Sequence, residues 1–105
     1  MTPFLLTAII GPGRADPVVG ALVELGASHV FMSRVLGFGR EGGRTETHRG
    51  GTASFEFAPK LKVEAVFATL DASDVVERIA FVARSGSGRV GDGKVWTTDL
   101  DRLVT

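Results

Sequence analysis

Two glycine-rich segments carry the residues of this chain whose types and spacing suit the binding of an anion. The first contains the run Gly88-Arg89-Val90-Gly91-Asp92-Gly93-Lys94, which places two cations among closely spaced glycines. Glycine lets several backbone N–H groups point at one place, and such a nest beside Arg or Lys binds phosphate oxygens. An ordinary Asp-Gly hairpin turn explains the same residues equally well, so this run alone leaves both interpretations open.

The run begins like the P-loop of nucleotide hydrolases, G-x-x-x-x-G-K, and then departs from it. Val95 stands where a Ser or Thr would hold magnesium, and the following residues alternate as in a strand, whereas a P-loop leads into a helix. No Ser-His-Asp set or pair of catalytic carboxylates stands out either. We therefore predict that the chain is not an enzyme, with slow nucleotide hydrolysis as the weaker alternative.

The second glycine-rich segment, residues 37–58, is long and has no sustained hydrophobic period. It opens with Gly37-Phe38-Gly39-Arg40-Glu41 and continues with glycines and charged residues. Loops of this length are uncommon inside a compact domain and are usually functional or mobile. A solvated loop whose charges only maintain solubility is the simpler explanation. The presence of two cationic segments in one chain is what favours a shared anionic ligand.

Four apolar stretches between these segments predict strands. Residues 4–10 and 29–36 are rich in aromatic and β-branched residues, residues 60–68 alternate strictly between apolar and charged, and residues 95–103 alternate less strictly. Residues 4–10 end at Gly-Pro-Gly, which closes the strand with a turn.

Two helices are predicted between the strands. Asp16 followed by Pro17 indicates an N-cap and first helical residue, and Gly26 a C-terminal stop. Asp71 is placed to cap the second helix, whose apolar stripe runs from Val75 to Ala83. The order β-α-β-β-α-β predicts an α+β, ferredoxin-like fold, in which a four-stranded antiparallel sheet carries both helices on one face.

Composition limits the classes of function. The 105 residues suit a single domain, 1–105, and the 12 basic and 12 acidic residues balance, which argues against general nucleic-acid binding. The absence of cysteine excludes disulfides and thiolate metal sites and favours a reducing, cytoplasmic setting. No apolar run is long enough for membrane insertion. A sheet face without helices, in a chain that is 44% hydrophobic, predicts a closed homo-oligomer.

Three stretches together resemble the PII family of signal-transduction proteins. They are Gly37-Phe38-Gly39-Arg40-Glu41-x-Gly43-x-Thr45-Glu46-x-x-Arg49-Gly50, then Phe57-x-Pro59-Lys60-x-Lys62-Val63-Glu64, and then Gly91-Asp92-Gly93-Lys94-Val95-Trp96. The likeness covers nearly the whole chain in order and spacing. It implies a ferredoxin-like homotrimer that binds ATP or ADP in clefts between subunits, catalyses no obligatory reaction, and regulates a protein target through its long loop.

The resemblance also assigns site residues. Residues 37–58 correspond to the family's T-loop and residues 85–94 to its B-loop. The implied nucleotide-binding residues are Phe31, Gly37, Phe38, Gly39, Arg40, Glu41, Glu64, Val66, Arg89, Val90, Gly91, Asp92, Gly93 and Lys94. Lys60 and Glu41 match positions that contact the family's small-molecule effector.

Departures from the family pattern bear on the ligands. Glu41 replaces a glutamine that helps many members to hold magnesium with 2-oxoglutarate. A carboxylate can ligate magnesium, but it adds negative charge beside an anionic effector, which disfavours 2-oxoglutarate. The chain has no Tyr that could be uridylylated. An arginine pair that follows in the family is missing up to Thr105, which weakens triphosphate binding most, so we expect ADP, and also AMP, to compete well with ATP.

The protein target that the resemblance implies is a transporter, enzyme or regulator in nitrogen or carbon metabolism. A PII-like variant tied to bicarbonate and carbon uptake or to carboxysome function, with a different small effector, is the alternative interpretation.

Overall fold

The structure is a computed structural model that describes residues 2–38, 57–68, 70–84 and 93–104. Most of the long segment 37–58, and residues 85–92 of the other glycine-rich segment, lie outside the described residues. The elements follow one another as β1 (Phe4–Ile10), a 3-10 turn (Pro12–Arg14), α1 (Ala15–Glu24), β2 (His29–Gly37), β3 (Ala58–Phe67), α2 (Ala72–Ala83) and β4 (Gly93–Asp99).

The four strands form one antiparallel sheet in the order β2-β3-β1-β4. Every second residue of β1 is fully buried, and β3 buries Val63, Ala65 and Phe67 on the same face. Both helices contribute to this same core cluster, so both lie on one face of the sheet. The predicted ferredoxin-like α+β fold is confirmed.

The core is built from aliphatic side chains of the helices and the central strands, with two aromatic rings from those strands. Leu22 of α1 and Ile79 of α2 have no exposed surface. Phe4 and Phe67 stack at the start of β1 with ring centroids 5.3 Å apart. Burying a Leu or Phe side chain of this kind contributes about 1.5–3 kcal/mol relative to leaving it exposed, so this layer fixes the helices on the sheet.

The end of α1 follows the glycine signal in the sequence. Gly26 has a φ of 89°, a conformation that favours glycine. Its N–H donates to the carbonyl of Val23, and the N–H of Ala27 donates to the carbonyl of Leu22, both at 3.0 Å. This pair of bonds is the Schellman arrangement, which satisfies two carbonyls at a helix end. The predicted stop at Gly26 is therefore confirmed.

The start of α2 also follows the sequence. The carboxylate of Asp71 accepts hydrogen bonds from the backbone N–H groups of Ser73 at 2.8 Å and Asp74 at 3.4 Å. Asp71 itself has extended backbone angles, as an N-cap residue should. The predicted cap is confirmed.

The start of α1 differs from the prediction. The helix begins at Ala15 and not after Asp16, and its N-cap residue, Arg14, makes no side-chain capping bond. The physical reason is the 3-10 turn that starts at Pro12, because the backbone is already helical when it reaches Asp16. Asp16 lies in the first turn, where its charge is favourable near the helix N-terminus, and Pro17 is tolerated there.

Two strands also differ in their limits. β4 starts at Gly93 and ends at Asp99, rather than spanning 95–103, because its partner β1 extends from Ile10, opposite Gly93, only to Phe4, opposite Asp99. β3 starts at Ala58, two residues before the predicted 60–68, because the end of β2 continues to pair with it. In both cases the neighbouring strand sets the limit.

Candidate functional site

The sheet face opposite the helices, called the open face below, presents the alternate residues of each strand. In β1 these are Leu5, Thr7 and Ile9, which lie between core residues. The strand register arranges the open face in rows across β2, β3, β1 and β4, which read His29–Val66–Leu5–Thr98, Phe31–Glu64–Thr7–Trp96 and Ser33–Lys62–Ile9–Lys94.

The middle row is aromatic at both ends. Phe31 is 58% exposed and Trp96 is 45% exposed, whereas Thr7 between them is 3% exposed. The ring of Phe31 stacks on the imidazole of His29 with centroids 6.2 Å apart and planes only 5° apart. Such flat, half-exposed surfaces can stack on a planar base or pack against another protein chain. Phe31 and Glu64, both predicted nucleotide-binding residues, are direct neighbours across β2 and β3.

The next row is cationic. Lys62 on β3 and Lys94 on β4 lie on either side of Ile9, so their Cα atoms are roughly 10 Å apart at the usual strand spacing. Lys60 lies on the same face, one alternation further along β3. The Lys62 ammonium is 4.0 Å from the Glu64 carboxylate, and both side chains are about one-third exposed, so solvent screening makes this pair weak. The row therefore offers an anion a set of cations with one carboxylate at its margin.

The predicted residues at the start of the long segment lie at the end of the β2–β3 hairpin. Gly37 pairs with Ala58, and a Cβ atom added to Gly37 would lie 3.4 Å from the Cγ atom of Lys60. The rings of Phe38 and Phe57 contact each other with centroids 5.8 Å apart. The two ends of the long segment are therefore held side by side, next to the predicted effector lysine.

The predicted residues of the other segment enter the sheet at β4. A Cβ atom added to Gly93 would lie 3.3 Å from the carbonyl oxygen of Ile9, which is tighter than ordinary contact. Glycine thus permits the close approach of β4 to β1 at this point. Lys94 follows directly, so its position on the open face depends on the backbone at Gly93.

The two glycine-rich segments meet the sheet at the same end but at opposite edges. Ile10, at the end of β1, pairs with Gly93 on one side and Leu61 on the other, and Gly37 lies on β2 beyond β3. Three strand spacings separate β2 from β4, which is roughly 14 Å. A ligand the size of one nucleotide that touches both segments must therefore extend across the open face or use a second chain.

Several predicted site residues lie outside the described residues: Gly39, Arg40, Glu41, Arg89, Val90, Gly91 and Asp92. Their contacts with nucleotide, and that of Glu41 with magnesium or an effector, stay predictions. In the part of the chain that the structure describes, no three His, Asp or Glu side chains come together in a way that could hold a metal ion.

Sequence reasoning missed part of the open face. Thr7 and Ile9 on β1, and Lys62 on β3, lie beside the predicted residues Glu64 and Lys94. Alternation along β1 could have placed the first two opposite the core. Only the strand register, however, shows which side chains of other strands they neighbour.

Val66, which is predicted to bind nucleotide, is only 8% exposed. It lies on the open face between His29 and Leu5. Trp96 also lies on the open face and is not part of the core cluster.

No helix among the described residues combines the length and the apolar character that crossing a bilayer requires.

Comparison with known proteins gives consistent matches over nearly the whole chain. The family model described as "Nitrogen regulatory protein P-II" matches residues 4–105. The nitrogen regulatory protein P-II of Rhizobium meliloti is 38% identical over 99 residues, which cover 94% of this chain and 87% of that protein. The protein of the same name from Microchaete diplosiphon is 41% identical over 97 residues, covering 92% and 85%.

A solved structure agrees in fold. The ATP complex of GlnK from B. subtilis superimposes with a TM-score of 0.72 and 25% sequence identity, covering 95% of this chain and 85% of that one. The resemblance predicted from the motifs is confirmed.

Proposed function

Because the chain belongs to the nitrogen regulatory protein P-II family, whose members are signal-transduction regulators and not enzymes, we propose that it binds adenine nucleotides in clefts between identical subunits. The observation that carries this proposal is the cationic row of the open face. Lys62 and Lys94 flank Ile9 there, beside the glycine at which β4 begins. Cations next to closely approaching backbone suit the phosphates of a nucleotide. The ATP bound in the related GlnK supports the choice of ligand class.

The geometry of the sheet edges supports a site shared by two chains. The two glycine-rich segments join opposite edges of the sheet, roughly 14 Å apart at the usual strand spacing. A neighbouring subunit that brings the β2 edge of one chain near the β4 edge of another closes this gap. The base of the nucleotide then lies near Phe31 and Glu64, and the phosphates lie near Gly93 and Lys94.

The open face supports the homotrimer. It carries half-exposed aromatic rings and the apolar side chains of Leu5 and Ile9, while the described helices cover only the other face. An apolar sheet face of this kind is usually covered. Three copies around a cyclic axis cover it, since each copy presents the same face to its neighbours.

The long segment 37–58 is the proposed contact with a protein target. Its ends leave the sheet from the paired residues Gly37 and Ala58, next to Lys60. A ligand held near Lys60 therefore acts directly on the base of this segment. We propose that nucleotide, and any small effector that contacts Glu41 and Lys60, changes which target the segment binds. Glu41 can also ligate magnesium through the nucleotide.

For the small effector, the nucleotide preference and the cellular setting, we propose what the sequence predicts. 2-Oxoglutarate stays disfavoured by the charge of Glu41, and ADP and AMP stay expected competitors of ATP. The cytoplasmic setting stays a prediction. A role in bicarbonate or carbon uptake and a slow hydrolytic activity are the alternatives, and no contact among the described residues favours either.

The proposal is tested by isothermal titration of the full chain with ATP, ADP and AMP, with and without magnesium, beside light scattering for the assembly size. The variant Lys94→Met should lose at least about tenfold in nucleotide affinity, in line with removing one charge-assisted contact. Arg78→Met, an exposed cation on α2, is the matched control and should bind normally. Wild-type protein that binds none of the three nucleotides would overturn the proposal.

A parallel incubation with ATP and magnesium separates the regulator from the hydrolase alternative. We expect no release of ADP beyond that of a protein-free control.

A further inference from the structure

The side chain of Arg14 connects the start of α1 to the end of α2. Its Nη2 and Nε atoms both donate hydrogen bonds to the carbonyl oxygen of Val82, at 2.6 Å and 3.2 Å, across 68 positions of the sequence. Arg14 itself lies where the 3-10 turn passes into α1, and its backbone N–H donates to the carbonyl of Gly11 at 3.0 Å. The side chain therefore ties the β1–α1 connection to α2.

The acceptor, Val82, belongs to the last turn of α2, where helix carbonyls lack partners within the helix. The residue that ends the helix, Arg84, has extended backbone angles, and the last turn contains no basic residue. Arg14 thus supplies both the hydrogen-bond donor and the positive charge that a helix C-terminus favours.

The last turn of α2 also packs against the start of β4. A Cβ atom added to Gly93 would lie 3.7 Å from the Cβ atom of Ala83 and 3.8 Å from its carbonyl oxygen, in addition to its close approach to Ile9. Ala83 is 2% exposed, so this contact lies in the core. The last turn of α2 therefore lies close beside Gly93, the residue that precedes Lys94.

We propose that Arg14 is a positioning residue for the nucleotide site: it holds the end of α2 against Gly93 and so fixes the backbone that carries Lys94. The inference rests on the proposed function, since it takes Gly93 and Lys94 to lie at the phosphates. Arg14 acts through Val82 and Ala83 and needs no contact with the ligand.

The matched variants are Arg14→Met and Arg14→Gln, which are both neutral and of similar size. Only glutamine keeps a donor, because its Nε2 atom occupies nearly the place of the arginine Nε. We expect the affinity for ADP, measured by isothermal titration on the full chain, to fall about tenfold in Arg14→Met and about threefold in Arg14→Gln. Arg78→Met, on the exposed side of the same helix, should bind ADP as the wild type does.

A second measurement separates positioning from loss of charge. Amide hydrogen exchange in the absence of nucleotide should be faster at Arg84 and Gly93 in Arg14→Met than in the wild type, with a smaller increase in Arg14→Gln. Equal ADP affinities in the two variants, or unchanged exchange at both amides, would overturn the inference. If Arg14→Met does not fold, Arg14→Gln is compared with the wild type by the same exchange measurement.

The two proposals fail in different ways. A wild-type protein that does not bind ADP overturns the nucleotide site, and positioning for that site falls with it. A wild type that binds ADP, with Arg14→Met binding equally well, overturns only the role of Arg14.

Discussion

Thr7 and Trp96 face each other across β1 and β4 on the open face, and the small polar residue of the pair is the buried one. Thr7 lies on a central strand, whereas Trp96 lies on an edge strand and keeps 45% of its surface exposed. Trp96 is the single tryptophan of the chain. An indole left half in solvent beside a buried threonine suits an interface better than a core.

Replacing Trp96 by Glu should dissociate the proposed homotrimer without unfolding the subunit. A carboxylate in place of the half-exposed indole would have to be desolvated on assembly, and it would remove the apolar surface that the indole contributes. Light scattering should give the mass of a smaller species, and far-ultraviolet circular dichroism should be unchanged. Phe81→Glu is the control, because Phe81 is an exposed aromatic residue of α2. A Trp96→Glu protein of the same assembly size as the wild type would contradict this role.

Replacing Gly93 by Ala should destabilise the fold. The new Cβ atom would lie 3.3 Å from the carbonyl oxygen of Ile9, so β1 and β4 would have to separate slightly. We expect the free energy of unfolding in urea to fall by about 1 kcal/mol, at the lower end of overpacking effects.

Gly20→Ala is the matched control for that change. Gly20 lies within α1 and has nothing within 4 Å of an added Cβ atom. Alanine there should raise the free energy of unfolding by about 0.5–1 kcal/mol, since a helical glycine costs conformational entropy. The test is that the free energy of unfolding falls in Gly93→Ala and rises in Gly20→Ala. A change in the same direction in both variants would count against the close contact at Gly93.

Removing the cap of α2 should lower stability through a contact confined to the start of that helix. Asp71→Ala deletes the acceptor of the N–H groups of Ser73 and Asp74, which should cost about 1 kcal/mol in urea unfolding. Asp71→Asn keeps an oxygen acceptor and should retain most of that stability. If the two variants were equally destabilised, charge near the helix end and not the capping bond would be responsible.

Shortening a core side chain of α1 should have the largest effect. Leu22 has no exposed surface, and Leu22→Ala should lower the free energy of unfolding by about 2–5 kcal/mol through lost burial and the cavity left behind. Its neighbour Val23 is 62% exposed, so Val23→Ala should change stability by less than about 0.5 kcal/mol. A similar loss in both would mean that α1 packs by another face.

The sequence predicted the ends of helices correctly where a single residue determines the local backbone conformation. Gly26 and Asp71 act through their own backbone or side chain, so the end of α1 and the start of α2 followed from the sequence. The start of α1 did not follow from the sequence. The 3-10 turn that begins at Pro12 leads directly into the helix at Ala15, so Asp16 lies inside the first turn and is not the N-cap residue.

Contacts between distant parts of the chain could not be predicted in this way. The neighbours Phe31 and Glu64, and the row that joins Lys62 to Lys94, depend on the register of strands far apart in sequence. The bond from Arg14 to Val82 spans 68 positions and leaves no periodic signal. The family motifs named many residues of the site, whereas the register shows which of the described ones are neighbours.

The β2–β3 hairpin extends beyond the rest of the sheet, and this gives the long segment a base whose stiffness depends on only two strands. Arg34 opposite Leu61 is the last pair that still has β1 beside it, so the pairs Val35–Lys60, Leu36–Pro59 and Gly37–Ala58 form a ribbon of only two strands. Two-stranded ribbons are marginally stable alone. Separating these pairs would free three more residues in each limb, which widens the range of directions open to the segment but does not lengthen its reach, because the paired residues are already extended. A ligand that holds Lys60 to its strand would therefore also restrict the directions in which the long segment can approach a target.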